Sequence, residues 1–482
     1  MATAKEFIVA IEIGSSKVTG IAGRKNNDGS ISVLAVAKEE SSSFIKKGTI
    51  YNLDKTATCI ENIINRLQQQ LKTDIQRVYV GVGGQSIRSV KSTITRHLQP
   101  DTKITQDMVF EVMEANRTVV YPDQQIIDVA DQEYRVDNQY QIDPVGIQCS
   151  LFEGNYLNIL QRKTFYDKLN QCFDAAHINV VDLFLSPLAL ADSVLYESEK
   201  RSGCVLVDIG ADTTTVLVYS KNILRHIAVI PLGSSLITKD IASMKMMDES
   251  IAEELKQSYG SAYTNLEDID PTLKYYHGTD IEVESSKFIE VVEARMEEII
   301  ANVWNQVPQE YNDKLIGGVI ITGGGSNMKN IDRAFTEHTP VDKVRIANFV
   351  TGVITSKNDE INSHNGRMNT VLGMLAKGKE NCAGKEIDPN DMFASEGSAK
   401  GGGAERKARD VTEIPPGVIR TQAEADRAAE KEQRRKAEAE DEAARQAEEE
   451  REREKEERKK NRPINKLKNL YRNILNSMTE PE

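Results

Sequence analysis

Apolar residues in the first part of the chain fall into short blocks that alternate between strand spacing and helix spacing. The blocks at 7–13, 18–22 and 31–37 are strand-like and predict an antiparallel meander. Apolar positions across 55–71 recur at helical spacing and predict an amphipathic helix, and 78–82 is again strand-like. This alternation predicts an α/β fold.

The pattern changes between residues 85 and 162, where short alternating stretches surround a polar helix near 107–116. This change predicts a small α+β insertion. Further elements are predicted at 165–176 (helix), 180–185 (strand), 188–197 (helix), 251–257 (helix), 285–306 (helix) and 319–322 (buried strand).

Two segments about 200 residues apart share one plan. They are IVAIEIGSSKVTGIA at 8–22 and CVLVDIGADTTTVLVY at 204–219. Each has an apolar strand, an acidic residue, a glycine two positions later, a hydroxyl-rich turn and a second apolar strand. Such a near-repeat predicts two similar domains that face each other.

The turns in these segments have the chemistry of an anion site. Glycine lets the backbone approach a ligand closely, and backbone N–H groups and hydroxyls can surround a phosphate. Glu12 and Asp208 then face the phosphates, where a bridging Mg²⁺ would balance their charge. A third strand delivers the triple glycine 323–325 to a predicted helix near Asn330, an arrangement that suits a nucleotide.

Each of these signals is weak alone, because one such hairpin or one triple glycine is usually ordinary turn chemistry. Two matching hairpins followed by a glycine turn favour a nucleotide site. The chain has neither GxxxxGK followed by Ser or Thr, nor GxGxxG in a βαβ context. A P-loop NTPase and a Rossmann dinucleotide fold are therefore not supported.

The two hairpins and the Thr-Gly-Gly-Gly-Ser turn, in this order and spacing, resemble the nucleotide site of the actin/Hsp70/sugar-kinase superfamily. Residues 232–260 are similar to the FtsA and MreB branch and closest to the FtsA family. The 85–162 insertion and a C-terminal amphipathic helix narrow the resemblance to FtsA, over roughly 7–378 and the last twenty residues. It implies a two-lobed actin-like (ribonuclease H-like) ATPase fold with an α+β 1C insertion, a charged linker and a C-terminal amphipathic helix.

The resemblance also implies the domain boundaries. They are 1–84 (subdomain 1A, first part), 85–164 (1C insertion), 165–201 (1A continued), 202–230 (subdomain 2A, first part), 231–307 (2B), 308–378 (2A continued and the return to 1A), 379–460 (charged low-complexity linker) and 461–482 (amphipathic membrane-targeting helix).

By the same resemblance, Glu12 and Asp208 are the catalytic residues and hold Mg²⁺, through water, beside ATP. The residues implied to bind the nucleotide are Gly14, Ser15, Ser16, Lys17, Gly210, Asp212, Thr213, Thr214, Gly233, Glu253, Lys256, Gly323, Gly324, Gly325, Ser326 and Met328. For the helix that carries Glu253 and Lys256, a solvated charged face is the alternative interpretation.

Four positions depart from the superfamily pattern. Glu12 stands where Asp is common, and Ala211 and Asp212 replace the usual Gly-Gly. Ser186 holds the place of the Glu or Gln that orients the attacking water in hydrolytic relatives. Because serine is a poor general base, we expect ATP to bind and to be hydrolysed slowly at most.

Composition limits the classes of partner and the cellular compartment. The net charge of −13 argues against a general nucleic-acid binder. The five cysteines are scattered without a CxxC pair, which predicts a reducing compartment. The N-terminus lacks a signal-peptide pattern and no segment approaches the ~20 apolar residues of a spanning helix, so we expect a cytosolic protein with peripheral membrane contact.

The C-terminal part has two sections. Residues 421–460 are nearly all Ala, Glu, Lys, Arg, Gln and Asp and predict a solvated helix or an extended linker. From Pro463 the pattern predicts an amphipathic helix that binds anionic lipid, with docking onto the protein's own core as the alternative. Its membrane-facing residues are Ile464, Leu467, Lys468, Leu470, Tyr471, Arg472, Ile474, Leu475 and Met478.

The function implied by the resemblance is that of a cell division protein that binds ATP, polymerises and anchors FtsZ filaments to the inner face of the cytoplasmic membrane. Its implied partners are the FtsZ C-terminal tail, at subdomain 2B, further copies of itself, other division proteins and the membrane surface, with no nucleic acid. A small-molecule kinase of the same superfamily and an actin-like pilus or shape-determining component are the alternatives.

Overall fold

The computed structural model describes residues 6–278 and 281–386, which contain two sheet-based lobes and one insertion. The strands, in chain order, are β1 (Ile8–Ile13), β2 (Lys17–Lys25), β3 (Ile31–Glu40), β4 (Ile45–Lys46), β5 (Thr49–Ile50), β6 (Thr73–Ile75), β7 (Arg77–Val82), β8 (Arg88–Lys103), β9 (Gln124–Asp131), β10 (Tyr134–Val136), β11 (Gln139–Gln141), β12 (Gln148–Arg162), β13 (Asn179–Leu185), β14 (Cys204–Ile209), β15 (Thr214–Ser220), β16 (Ile223–Ile230), β17 (Lys274–His277), β18 (Ile281–Glu284), β19 (Gly318–Thr322), β20 (Val344–Ile346), β21 (Ile354–Thr355) and β22 (Ala383–Glu386).

The helices lie between these strands. They are α1 (Leu53–Leu71), α2 (Gln106–Arg117), α3 (Lys163–Ala175), α4 (Ser186–Val194), α5 (Glu197–Ser202), α6 (Ser234–Lys245), α7 (Glu249–Tyr259), α8 (Ser285–Asn305), α9 (Ile331–His338), α10 (Asp359–Asn362) and α11 (Asn369–Lys377).

Lobe 1 is built on a six-stranded sheet in the order β13-β7-β1-β2-β3-β21. β1, β2 and β3 pair antiparallel, which confirms the predicted meander. β7 runs parallel to β1, and β13 runs parallel to β7. Helices α1 and α11 both pack on this sheet.

Lobe 2 repeats this arrangement. β14 pairs antiparallel with β15 on one side and parallel with β19 on the other. The order β16-β15-β14-β19-β20 therefore matches the order β3-β2-β1-β7-β13 of lobe 1. The prediction of two similar domains from the near-repeat is confirmed.

The insertion, from β8 to β12, is more regular than its sequence pattern indicates. Instead of short stretches it contains two long paired strands, β8 and β12, with α2 packed on both of them. Its own small core includes Val112, Phe152 and Tyr156. At the opposite edge, β8 joins the sheet of lobe 2 through a single bridge between Arg88 and Ala228 of β16.

The sheet of lobe 2 separates two apolar cores. Val205 and Val207 of β14 face one core, whereas Cys204 and Leu206 face the other. This period of two is the normal geometry of a strand that is buried on both faces. Helix α4 packs against β13 and β15, so it lies between the two lobes.

The globular body extends past Gly378, where the linker was predicted to begin. β22 pairs with β6, and the fully buried Cys382 donates its backbone N–H to the carbonyl oxygen of Phe7 at 2.8 Å. The predicted membrane-facing residues at 464–478 lie outside the described residues. Among the helices that the structure describes, none combines the length and apolar character needed to cross a membrane.

Candidate functional site

The first hairpin turn connects β1 to β2 and is tightly closed. A β-carbon on Gly14 would lie 2.5 Å from the carbonyl oxygen of Lys17, so the turn requires glycine. Ser41 fixes the turn from outside, because its hydroxyl donates to the carbonyl oxygen of Gly14 at 2.7 Å and its amide donates to that of Ser16 at 2.9 Å. Ser16 is exposed, and the ammonium group of Lys17 lies 3.7 Å from the carboxylate of Glu40 at the surface.

The second turn, between β14 and β15, is closed by a bond from the amide of Gly210 to the carbonyl oxygen of Thr213 at 2.9 Å. The loop before α6 packs against it. A β-carbon on Gly233 would lie 2.3 Å from the carbonyl oxygen of Ala211. Ser234 also donates its amide to the carbonyl oxygen of Gly210 at 3.0 Å, so this loop and the turn form one unit.

The triple glycine lies directly against the second hairpin. Gly323 has a φ of +88°, and a β-carbon there would come 2.3 Å from the carboxylate oxygen Oδ1 of Asp208. A β-carbon on Gly325 would come equally close to Ile209. Gly324 is half-buried beside Arg367. Two of the three glycines are therefore required for the close approach of this turn to β14.

The carboxyl groups of Glu12 and Asp208 are close enough to interact. Burial raises the pKa of Glu12 to about 7, and repulsion from Asp208 adds to the rise, whereas Lys38 and a hydrogen bond from Thr370 oppose it. Burial raises the pKa of Asp208 to about 6. Two partly desolvated acids that repel each other favour a cation between them.

The donor set fits Mg²⁺ held mostly by water and phosphate. Within the described residues, no three His, Cys, Asp or Glu side chains are grouped so that they could enclose a metal ion. Mg²⁺ commonly uses only one or two carboxylates and keeps several water molecules. Glu12 and Asp208 supply such a pair.

Lys38 and Thr370 belong to this site although the sequence analysis did not identify them. Glu12, Thr19 and Lys38 are cross-strand neighbours on β1, β2 and β3, so their side chains lie on one face of the sheet. Lys38 also forms an ion pair with Glu360 of α10. Lys38 could have been predicted from the sequence, because the register of the antiparallel meander places it on the same face as Glu12. The contact from Thr370 on α11 could not, because it depends on tertiary packing.

The predicted pair on α7 contacts the second turn indirectly. The ammonium group of Lys256 lies 2.6 Å from the carboxylate of Glu253 and 3.2 Å from the carbonyl oxygen of Ser234. Thr238 donates to Glu253 at 2.6 Å. Burial acts to raise the pKa of Glu253, but hydrogen bonds from Lys256 and Thr238 outweigh it and lower the pKa. The pair is thus an ordered cluster beneath the loop at Gly233.

Three predicted nucleotide residues have structural partners. Thr214 is fully buried, and its hydroxyl donates to the carbonyl oxygen of Leu232 at 2.8 Å. Ser326 is also buried and donates to the carbonyl oxygen of Gly323 at 2.7 Å. Met328 packs, partly buried, against the core of lobe 2. In this arrangement these side chains stabilise the turns.

Ser186 is the first residue of α4. It is buried, and its hydroxyl oxygen would lie 2.7 Å from a β-carbon on Gly81, the residue that pairs with Glu12 across β7 and β1. The position that resembles the water-orienting site therefore holds a hydroxyl group and no carboxylate.

A separate open groove lies on lobe 1, with a volume of about 600 Å³. It is lined by parts of α1, by β6 and by the loop before β13, including Gln68, Asp74 and His177. Its lining includes none of the residues that converge at the two hairpins, so we do not assign it to the candidate site.

Two lobes with the same strand order, whose acidic hairpins meet beside a glycine turn, define an actin-like ATPase fold. The family model described as "SHS2 domain inserted in FTSA" matches residues 84–160, and the model described as "Cell division protein FtsA" matches residues 205–371. The chain belongs to the FtsA family of cell division proteins.

Individual relatives agree with this assignment. The chain is 30% identical over 344 residues to the cell division protein FtsA of Pseudomonas aeruginosa. The aligned residues cover 70% of this chain and 82% of that protein. It is 29% identical to the Bacillus subtilis FtsA, over 71% of this chain and 78% of that protein. Among solved structures, a "PilM-PilN type IV pilus biogenesis complex" chain shares the fold, with a TM-score of 0.54, 15% identity and coverage of 80% of this chain and 100% of that one.

Proposed function

We propose that this chain binds Mg²⁺-ATP between its lobes, polymerises, anchors FtsZ filaments to the inner face of the cytoplasmic membrane and helps to recruit later division proteins. The observation that carries the proposal is the convergence of Glu12, Asp208 and Gly323 from three distant segments. Membership of the FtsA family supports the setting in cell division.

Within this proposal, Glu12 and Asp208 hold Mg²⁺ largely through water molecules. The turn amides of residues 14–16 and 210–213 surround the phosphates, and the glycines 323–325 lie against the nucleoside. Glu253 and Lys256 contact the adenosine from α7. Because a serine at 186 cannot act as a strong base, hydrolysis is slow and ATP serves mainly to favour assembly.

The FtsZ tail binds, in our proposal, to a surface of the predicted subdomain 2B that carries lysines and exposed apolar side chains, where Lys274 is paired with Glu282 and Lys287 with Glu284. Lys245, Lys274 and Lys287 surround Glu284, whose pKa is lowered by the neighbouring Lys287 and, to a smaller extent, by the other two lysines. Exposed apolar side chains lie beside these lysines in the chain, with Met246 97% and Leu273 48% accessible. Cations next to exposed apolar groups suit a peptide with both acidic and apolar residues.

The docking surface is tested by titrating an FtsZ tail peptide into the full chain. Met246→Asp should weaken binding about tenfold or more, because it replaces an apolar contact and adds repulsion. Ile316→Asp is the matched control, since Ile316 is also exposed and lies outside 231–307. Equal weakening by both variants would contradict the location, and equal affinity of the wild type and Met246→Asp would contradict the surface.

The whole proposal is tested by co-sedimentation with vesicles of phosphatidylglycerol and phosphatidylcholine. The full chain should pellet more strongly with Mg²⁺-ATP, because polymerisation multiplies weak helix–lipid contacts. A chain ending at Lys460 should stay in the supernatant, and Glu12→Ala should lose the ATP dependence. Glu337→Ala, which removes an exposed carboxylate from α9, should behave like the wild type.

Each outcome separates one part of the proposal. Pelleting that does not depend on ATP would contradict the nucleotide switch, and pelleting of the shortened chain would contradict the membrane helix. Phosphate release measured in parallel should be slow. Rapid release by the wild type that is lost in Glu12→Ala would contradict the expectation drawn from Ser186.

A further inference from the structure

The short hairpin β4–β5 of lobe 1 ends in a turn that reaches lobe 2. Its two central residues, Lys47 and Gly48, have φ values of +51° and +69°. Two positive φ values define a type I′ turn, and the amides of its central residues have no partner inside the hairpin. Backbone N–H groups of this kind bond to acceptors outside the hairpin, which can be water or another part of the chain.

Each of these two amides finds its acceptor in one of the predicted phosphate turns. The amide of Gly48 donates to the hydroxyl oxygen of Ser15 at 2.7 Å. The amide of Lys47 donates to the carboxylate oxygen Oδ2 of Asp212 at 3.1 Å. The β4–β5 turn therefore connects the first hairpin, in lobe 1, to the second hairpin, in lobe 2.

The carboxylate of Asp212 is oriented for this contact. Its second oxygen, Oδ1, accepts the hydroxyl of Ser235 at 2.9 Å, and Ser235 lies in the first turn of α6. Both carboxylate oxygens of Asp212 thus have protein partners, one in each lobe. The superfamily pattern usually has glycine in this turn, where no side chain could make either bond.

In lobe 1, the segment at Gly84 and Gln85 packs against the β4–β5 turn and holds it in place. The carbonyl oxygen of Lys47 accepts the amide of Gln85 at 3.1 Å. A β-carbon on Gly48 would lie 2.4 Å from the α-carbon of Gly84, so the two backbones touch. Because Gly84 and Gln85 lie just before β8 and the insertion, the turn is held between this connecting segment and the second hairpin.

We propose that Asp212 is an inter-lobe clasp, a positioning residue that holds the second hairpin on the β4–β5 turn and slows the release of a bound nucleotide. The proposal rests on the nucleotide site of the proposed function. It changes the role of Asp212, which the sequence analysis predicted to bind the nucleotide. Asp212 acts by keeping the lobes together and does not contact the phosphates. A carboxylate placed toward the phosphates would have the opposite effect, because like charge would speed release.

The two roles predict opposite results for the same variants. Asp212→Gly removes the carboxylate, whereas Asp212→Asn keeps an oxygen acceptor and removes the charge. For a clasp, Asp212→Gly should speed the release of a fluorescent ADP from the full chain by about threefold to tenfold, and Asp212→Asn should restore most of the slow release. Slower release in both variants, or no change in Asp212→Gly, would overturn the proposal.

A second measurement does not need a nucleotide. Amide hydrogen exchange in the nucleotide-free chain should be faster at Lys47 in Asp212→Gly and unchanged at Gly48, whose acceptor is Ser15. Ser15→Ala should give the reverse pattern, which also shows that the turn remains folded. Ser235→Ala should produce a smaller increase at Lys47, because it removes only the bond that orients the carboxylate.

These two readouts separate the clasp from the proposed function. If the wild type binds no ADP, the nucleotide proposal fails, and exchange at Lys47 still tests the clasp. If ADP binds but Lys47 exchanges equally in the wild type and Asp212→Gly, the clasp is wrong and the nucleotide site stands.

Discussion

The acids at the ends of β1 and β14 make the stability of the chain depend on pH. Burial raises the pKa of Glu12 from its ordinary value of 4.5 to about 7, and that of Asp208 from 3.8 to about 6. Between the ordinary and raised values, the folded chain binds more protons than the unfolded chain. Without a bound cation, the free energy of unfolding should therefore fall as the pH rises through this window.

Glu12→Gln tests this at the scale of one residue. At pH 8 and without metal it should raise the free energy of unfolding by about 1–2 kcal/mol, because the glutamine has no charge to lose hydration at this half-buried position. Near pH 4 the two chains should have nearly equal stability, since most of the Glu12 carboxyl groups are then protonated in both states. Urea unfolding followed by circular dichroism measures both values.

The exposed Glu337 supplies the control, because Glu337→Gln should show no difference that depends on pH. A lower stability of Glu12→Gln at pH 8 would mean that the ionised carboxylate is stabilised by its surroundings, contrary to the direction of its pKa.

At the scale of elements, the insertion is covalently part of lobe 1 but also forms side-chain contacts with lobe 2. Only one bridge joins β8 to β16, so other bonds must hold the edge. Ser89 accepts the amide of Ile227 at 3.0 Å. The buried Arg225 lies 2.8 Å from Glu133 and lowers the pKa of that carboxylate.

Arg225→Met should reduce the free energy of unfolding by about 2–3 kcal/mol, because it leaves Glu133 without its buried partner. This expected loss is at the lower end of the range for breaking a buried ion pair. The reason is that Lys221, 3.3 Å from Glu133, still partly balances the charge of that carboxylate. Lys221→Met is the matched control. Its side chain is 73% exposed, and its loss should cost about 0–1 kcal/mol.

Thermal unfolding of both variants gives the comparison. Equal losses would show that the burial of Arg225 adds nothing to its ion pair. A loss confined to Lys221→Met would place the stabilising contact at the exposed lysine.

At the scale of the whole molecule, the sequence predicted what is local and missed what the topology brings together. The hairpins at Glu12 and Asp208 were found because strand, acid, glycine and hydroxyls are neighbours in the chain. Their convergence was expected from the duplicated plan, and the matching sheet orders confirm that duplication. Lys38, Lys47 and Thr370 were not found, because their contacts depend on strand register, on a turn and on helix packing.

The end of the body was missed for a similar reason. Residues 379–386 are mostly polar, and β22 forms a strand because β6 offers a partner. A chain ending at Gly378 should be less stable than one ending at Glu386 by about 2–4 kcal/mol, since it loses the burial of Cys382 and the hydrogen bonds to Phe7 and Tyr79.

Chemical unfolding of these two chains measures the difference. Cys382→Ala in the longer chain is the control, because it keeps the backbone pairing and should cost only the packing of one small side chain. Equal stability of the shorter and longer chains would assign residues 379–386 to the linker after all.

The contact between Gly48 and Gly84 has a consequence for how the sequence can vary. A β-carbon on Gly48 would lie 2.4 Å from the other backbone, one on Gly84 would lie 2.7 Å from it, and both residues have positive φ. Even alanine at one of these positions would therefore clash with the backbone of the other. A substitution at the second position cannot relieve the clash, because glycine already has no side chain. No substitution at one of these two positions can therefore compensate for a substitution at the other. We expect both to remain glycine while other positions in this hairpin and in the insertion vary.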